Sequence, residues 1–451
     1  MKTASPIRVV TLLGAACLLW LAAIGALAAT GPQQDESAAR PQQAVALGAE
    51  SCAGPVCHGS PAPYLDGDIR RNEFQIWSSH DRHSKAFSVL LNDTSRQIAS
   101  NLGIGPAQQA DLCLDCHAFK LPSLRRSALY SDSEGVGCEA CHGLSSRWLG
   151  THISAGERQA VSGMLDHSDL VKQAELCLSC HQGDESKQVD HRLIAAGHPL
   201  LEFELDTFQA LMPPHWKASD QDWAGVRRWA VGQAVALRES MRLLARRARQ
   251  AGWSHWPEFA DFECSSCHHS LTVDGQGEDF QPSPRQVRGF ESTPGLPPWD
   301  PSRYIVLRQL LQVTIPAEGI WLERQVDVLR IMLRAAGDNR SQVADQAEVI
   351  ARSADSYATA FQSLQPDAAM VRRLLRGLAS QSAAIGAGGR RSAQQATMAV
   401  DALYASYRAN AGESEAVDAV VNRLYQNLQS SPPYNPGRFA AILSDLEAQL
   451  P

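Results

Sequence analysis

The sequence predicts a mainly α-helical protein in two parts, with short helices and loops over residues 51–271 and a helical bundle over residues 303–451. Three observations carry that expectation. No stretch shows sustained alternation of apolar and polar residues, so strand signals are sparse. Apolar residues recur at helical spacing in long runs after residue 302. Every histidine lies between His58 and His269, none in the last 182 residues, and ten of the 11 cysteines lie between Cys52 and Cys267. The chain has 451 residues, 44% hydrophobic and 20% charged. That balance excludes disordered, collagen-like and multispanning membrane chains.

In chain order, Lys2 and Arg8 precede an uncharged apolar run from Val9 to Ala29 that ends in the small-x-small sequence Ala26-Leu27-Ala28. Residues 1–28 are expected to be a signal peptide for export to the periplasm. The length of the run leaves an uncleaved membrane anchor over residues 9–29 as the alternative. Cys17 reads as plain leader, since Gly14 stands where a lipobox needs Leu. Residues 29–50 are expected to be a flexible lead-in. The net charge of −7 becomes more negative once Lys2 and Arg8 are removed, which argues against nucleic-acid binding.

The ten remaining cysteines fall into five pairs. Four are Cys-x-x-Cys-His: Cys113/Cys116-His117, Cys138/Cys141-His142, Cys177/Cys180-His181 and Cys264/Cys267-His268. The fifth, Cys52-Ala-Gly-Pro-Val-Cys57-His58, has four residues between its cysteines. This is the attachment motif for c-type haem: two thiols add to the two porphyrin vinyl groups and the next residue gives an imidazole to the iron. Zinc ribbons use similar Cys spacing without requiring the following His, and a disulfide framework does not place His after every pair. Histidine is about 3% of the chain, so four such placements by chance have odds of about 10⁻⁶. Five covalent haems are therefore expected.

Nine histidines remain for the opposite faces of five irons, against three methionines (Met164, Met212, Met241) in the same segment. Methionine ligation raises haem potential, so its scarcity favours bis-His, low-potential haems.

The run Trp77-Ser78-Ser79-His80-Asp81-Arg82-His83 resembles the Trp…His segment of the cytochrome c-554 family, tetrahaem electron carriers related to hydroxylamine oxidoreductase. Gly135-Val136-Gly137-Cys138-Glu139-Ala140-Cys141-His142-Gly143, followed by Gly150-Thr151-His152, is similar to a second segment of that family. The resemblance covers roughly residues 50–182 and implies that His83 and His152 are distal ligands. Asp190-His191 through His198-Pro199, Pro213-Pro214-His215-Trp216 and Cys267-His268-His269 resemble larger multihaem relatives. They add His191, His198, His215 and His269 as expected ligands. The stretched first motif, the fifth motif and the C-terminal extension depart from the tetrahaem pattern.

A long helix is expected between Asp222 and Gly252, with Val226, Ala230, Leu237, Met241 and Leu244 facing the core. Arg238, Arg242, Arg246 and Arg249 form a basic stripe on it, read as a solvated face or as a partner for haem propionates or an acidic protein. Residues 272–302 read as a Pro/Gly-rich linker. Beyond it, helical runs are expected over 302–313, 317–336, 340–364, 367–385, 392–409 and 413–428, broken at Gly337-Asp338, Pro366 and Gly386–Gly389.

Function is expected to be electron transfer between redox partner proteins. The alternative is a haem oxidoreductase acting on a small nitrogen or sulfur compound at an open axial position. Against it, the chain has no Cys-x-x-Cys-Lys motif and five haem motifs where hydroxylamine oxidoreductases have eight.

Overall fold

The computed structural model describes residues 43–65, 69–153, 163–184, 186–216, 222–250, 256–268, 297–335, 339–429 and 434–450. The leader, most of the linker, His255 and His269 lie outside these residues. All the described helices and all five haem motifs belong to one compact unit, Val45–Pro451.

The described residues are mainly helical, as the sequence predicts. They contain no strand, only the isolated bridges Ala46–Arg126 and Phe262–Trp299. Eight short helices come first: α1 (Glu73–His80), α2 (Ala86–Val89), α3 (Asp93–Leu102), α4 (Asp111–His117), α5 (Cys138–His142), α6 (Leu170–His181), α7 (His191–Ala195) and α8 (Leu205–Leu211). They are short because capping residues punctuate them. Asn92, Asp169, Asp190 and Glu204 each accept backbone N–H bonds at a helix start, satisfying donors that the first turn leaves unpaired. Gly103, at φ 67°, ends α3 in the left-handed conformation that glycine adopts without strain. Three haem motifs close their helices, α4, α5 and α6 ending on His117, His142 and His181.

Helix α9 (Ala224–Arg249) is the spine. Val226, Ala230, Leu237, Met241 and Leu244 are all buried on it, as expected, with Trp229 and Val235 beside them. Gly232 is needed where α8 crosses, since a Cβ there would stand 2.7 Å from Leu205 Cβ.

The basic stripe pairs with acidic side chains, buried at Arg238 and half-exposed at Arg242 and Arg249. Arg238 is buried and donates to Asp355 Oδ1 (2.5 Å), Glu175 Oε1 (2.5 Å) and Glu239 Oε1 (2.7 Å). Arg249 reaches Asp345 and Glu348, and Arg242 reaches Glu239. Sequence spacing shows a cationic stripe but not the acidic helix that folds against it.

That acidic helix belongs to the C-terminal series α10 (Ser302–Thr314), α11 (Pro316–Arg334), α12 (Arg340–Gln362), α13 (Ala368–Ser380), α14 (Ser382–Ala387), α15 (Arg390–Ala411), α16 (Glu415–Gln429) and α17 (Pro436–Gln449). Their breaks follow local chemistry. Pro316 opens α11 where its missing N–H costs nothing. Asp367 caps α13, and Gly389 and Gly412 turn the chain at φ 90° and 126°. The expected run 367–385 is two helices divided at Gln381. The run 436–449, started by the Asn435 cap and Pro436, is an additional helix. One apolar core takes residues from α6, α8, α9 and the C-terminal helices together. Leu237, Leu310, Leu374 and Phe439 are all inaccessible within it.

The segment before the fifth haem motif is pinned to the start of α10. Glu263 N donates to Pro298 O (3.0 Å) and Asp300 N to Asp261 O (3.0 Å). Arg391 of α15 ties both sides, donating to Asp300 Oδ2 (2.8 Å) and Ala260 O (2.9 Å).

Candidate functional site

The ten motif cysteines are free thiols, so no disulfide competes for them. The stretched first motif keeps the local geometry of a short one. In the fifth motif the His268 amide donates to Cys264 O (2.8 Å), and in the first the His58 amide donates to Cys52 O (3.3 Å). The two extra residues loop out in the turn Gly54-Pro55-Val56-Cys57, closed by Cys57 N to Gly54 O at 2.8 Å, with Val56 exposed at its tip. Proline fits the second position of such a turn. Gly59 is required where the chain returns, because a Cβ would overlap Ala53 O at 1.9 Å.

Each motif histidine faces a second histidine. The ring centroids are 6.2 Å apart for His58–His152, 6.5 Å for His117–His198, 6.4 Å for His142–His215, 6.1 Å for His181–His83 and 6.2 Å for His268–His191. A metal–imidazole bond is about 2 Å and the ring centre lies about 1.1 Å behind the nitrogen, so two imidazoles trans on one iron stand about 6.3 Å apart. The five spacings fit that separation. The pairings join distant segments, the loop after α5 with the first motif, and the α7 segment with both the second and the fifth.

In five of these ten rings Nδ1 is engaged, whereas the buried Nδ1 of His142 has no partner. Nδ1 hydrogen-bonds to Glu73 Oε2 in His58 (2.9 Å), to Asp81 Oδ1 in His83 (2.9 Å), and to the carbonyls of Ala86 in His117 (2.9 Å), Leu149 in His152 (2.6 Å) and Pro199 in His198 (2.8 Å). Such bonds fix tautomer and ring orientation and leave Nε2 for a metal. Burial, with the neighbouring His167, His215 and His58, pushes the His142 imidazole down to about 3. Burial and His83 push His181 down to about 4. Both are therefore neutral near pH 7, the form that ligates iron.

The two segments that carry the family resemblance meet here. Trp77 Nε1 donates to Val136 O (3.1 Å) and the Val136 amide to His83 O (3.0 Å). Gly135, at φ 74°, allows this approach, as a Cβ would lie 2.6 Å from His83 O. The buried Glu139 carboxylate accepts from Leu47 N (3.0 Å), Gly48 N (2.8 Å), Ser145 N (2.7 Å) and Ser145 Oγ (2.6 Å), binding the approach to the first motif onto the third. Thiols of different motifs also lie together. A hydrogen bond from Cys138 lowers the Cys52 thiol to about 7, and one from Cys116 lowers Cys180 to about 6.

Among the described residues, two histidines stay out of these pairs. His80 is exposed at the end of α1. His167 lies 5.1 Å from His142, but its Nε2 is engaged by Cys141 O at 2.8 Å. Glu73, Asp81 and Glu139 escape motif reading. Asp81 was within reach of it, two residues before His83, whereas Glu73 is fifteen residues from the His58 it serves.

Cys-x-x-Cys-His motifs presented in this way define a c-type cytochrome, in which the cysteines hold the haem covalently through its vinyl groups. Residues 33–143, about a quarter of the chain, match the family model described as cytochrome c554 and c-prime. The resemblance to that family is thus found over a segment holding the first three haem motifs. No curated protein and no solved structure shows significant similarity to the chain.

Proposed function

We propose that the protein is an exported pentahaem cytochrome that carries electrons between redox partner proteins in the periplasm, every iron being held by two histidines. The observation that supports this most is the set of five motif–partner histidine pairs, all at 6.1–6.5 Å. Cys52 and Cys57, Cys113 and Cys116, Cys138 and Cys141, Cys177 and Cys180, and Cys264 and Cys267 would attach the haems. His58, His117, His142, His181 and His268 would be the proximal ligands, and His152, His198, His215, His83 and His191 the distal ones.

Bound haem supplies a one-electron iron couple. The chain's own residues then act by position. Paired imidazoles would hold each iron from both sides and leave no place for a substrate, which weighs against the oxidoreductase alternative. Nδ1 hydrogen bonds hold five of the ten rings in place, which limits rearrangement on a change of charge there. The apolar core around α9 takes in Ala174 and Leu178 and so fixes α6, the helix that ends on His181.

The test is mass spectrometry of the purified protein followed by carbon monoxide exposure after dithionite reduction. Five covalent haems and an unchanged reduced spectrum are expected. A mass showing four haems would remove the Cys52–Cys57 site, and a carbon monoxide adduct would expose an open iron and revive the catalytic reading.

A further inference from the structure

The environments of the ten paired imidazoles are not equivalent. Those of His117, His152 and His198 turn Nδ1 to neutral backbone carbonyls. Those of His58 and His83 turn it to carboxylates, each 2.9 Å away. The two carboxylates are built into place. Glu73 Oε2 takes the His58 ring, while its Oε1 accepts from the amides of Arg70 (2.9 Å) and Arg71 (3.1 Å). Arg71 adopts φ 62° in that turn, a conformation non-glycine residues seldom take. Asp81 is 3% exposed, and its Oδ1 accepts both the ring Nδ1 and the backbone N–H of His83 at 2.9 Å.

We propose that Glu73 and Asp81 are positioning residues that give two haems, the one on Cys52/Cys57 and the one on Cys177/Cys180, lower reduction potentials than the other three. The inference rests on the bis-His reading, in which His58 is a proximal ligand and His83 a distal one.

A hydrogen bond to an ionised acceptor is roughly twice as strong as a neutral one. It draws the Nδ1 proton outward and makes the opposite nitrogen a stronger donor to iron. Electron-rich imidazole favours ferric over ferrous iron, and a fixed negative charge behind the ring opposes arrival of an electron. The step is a one-electron reduction of Fe(III) to Fe(II), with the electron supplied by dithionite in the assay and no bond made or broken. Because the two carboxylates act on different haems, their effects are separable.

The experiment is a potentiometric titration of the full-length haem-loaded protein, wild type against Glu73→Gln and Asp81→Asn. Each amide keeps an oxygen that accepts from Nδ1 but removes the charge. The wild type is expected to show two haems titrating below the other three. Each variant should raise one of those two midpoints, by the order of a tenfold change in the reduction equilibrium, about 59 mV for one electron, with low-spin iron and haem content unchanged. The double variant should raise both. Unchanged midpoints in low-spin variants would overturn the proposal, as would a wild type without two low-potential haems. Failure of the bis-His reading would look different, because high-spin iron would already be present in the wild type. If one variant loses haem, the other still decides, since it acts at a separate iron.

Discussion

Replacing Arg238 with Ala removes the cation that joins α9 to α6 and α12. The Arg238 side chain is 2% exposed and bonds three carboxylates, Glu175, Glu239 and Asp355. Breaking a buried ion pair by deleting one partner costs about 3–5 kcal/mol when the remaining charge stays buried. Here the remaining charges are less confined. Glu175 and Asp355 are 44% and 51% exposed and can rehydrate, and Glu239 keeps Arg242 at 3.0 Å. The penalty should therefore fall below that range, to about 2–3 kcal/mol, including the lost packing of the arginine stem. With a urea dependence of about 2 kcal/mol per molar, the midpoint of helix loss, followed by far-ultraviolet circular dichroism, should drop by about 1 M. Arg242→Ala, on a half-exposed side chain with one partner, should cost less than about 0.5 kcal/mol. Equal and small shifts in both variants would mean that the stripe is solvated and that this network does not fasten α9.

Other perturbations probe separate parts of the molecule. His83→Ala, His152→Ala and His198→Ala should each convert one haem to high spin while keeping all haem attached. His167→Ala should leave every haem low-spin; electron paramagnetic resonance of the four variants distinguishes these outcomes. Burial, aided by Asp206, raises the Glu204 carboxyl to about 7 from an ordinary 4.5. Folding then takes up a proton between those values, so this contribution is intact below pH 4.5 and lost as pH climbs through 7, a difference of up to about 3 kcal/mol. Glu204→Gln should flatten the decline in stability between pH 5 and pH 8, and an unchanged slope would assign it to another group. Ending the chain at residue 302 should preserve covalent haem but cause aggregation, because Trp229, Val231 and Leu237 lose the bundle that covers them. A soluble, monodisperse product in light scattering would contradict the shared core.

Much of the haem chemistry is legible in the sequence because attachment is local. The spacing of Cys264, Cys267 and His268 carries its own meaning, and so does the helical period of Val226, Ala230, Leu237 and Met241. The expected ligands His83, His152, His191, His198 and His215 all stand opposite motif histidines; His269 lies outside the described residues. The particular pairings are not readable, since they join segments as far apart as His58 and His152. The Arg238 network escapes for the same reason, its partner Asp355 being more than a hundred residues away on another helix. Helix α17 lies beyond the last expected helical run, which ends at residue 428, and its start is the dipeptide Asn435-Pro436. In three dimensions it is a cap and a first turn.

The most direct test of bis-His ligation at every iron is an electron paramagnetic resonance spectrum of the oxidised protein, with its spin integral set against the haem count. The ring planes are 20° and 29° apart in His58–His152 and His191–His268, but 89°, 87° and 76° apart in His83–His181, His117–His198 and His142–His215. Low-spin iron should account for all five haems, with near-parallel pairs giving rhombic signals and near-perpendicular pairs giving strongly anisotropic ones. An axial high-spin signal integrating to one haem would contradict the account, because one iron would then lack its second histidine.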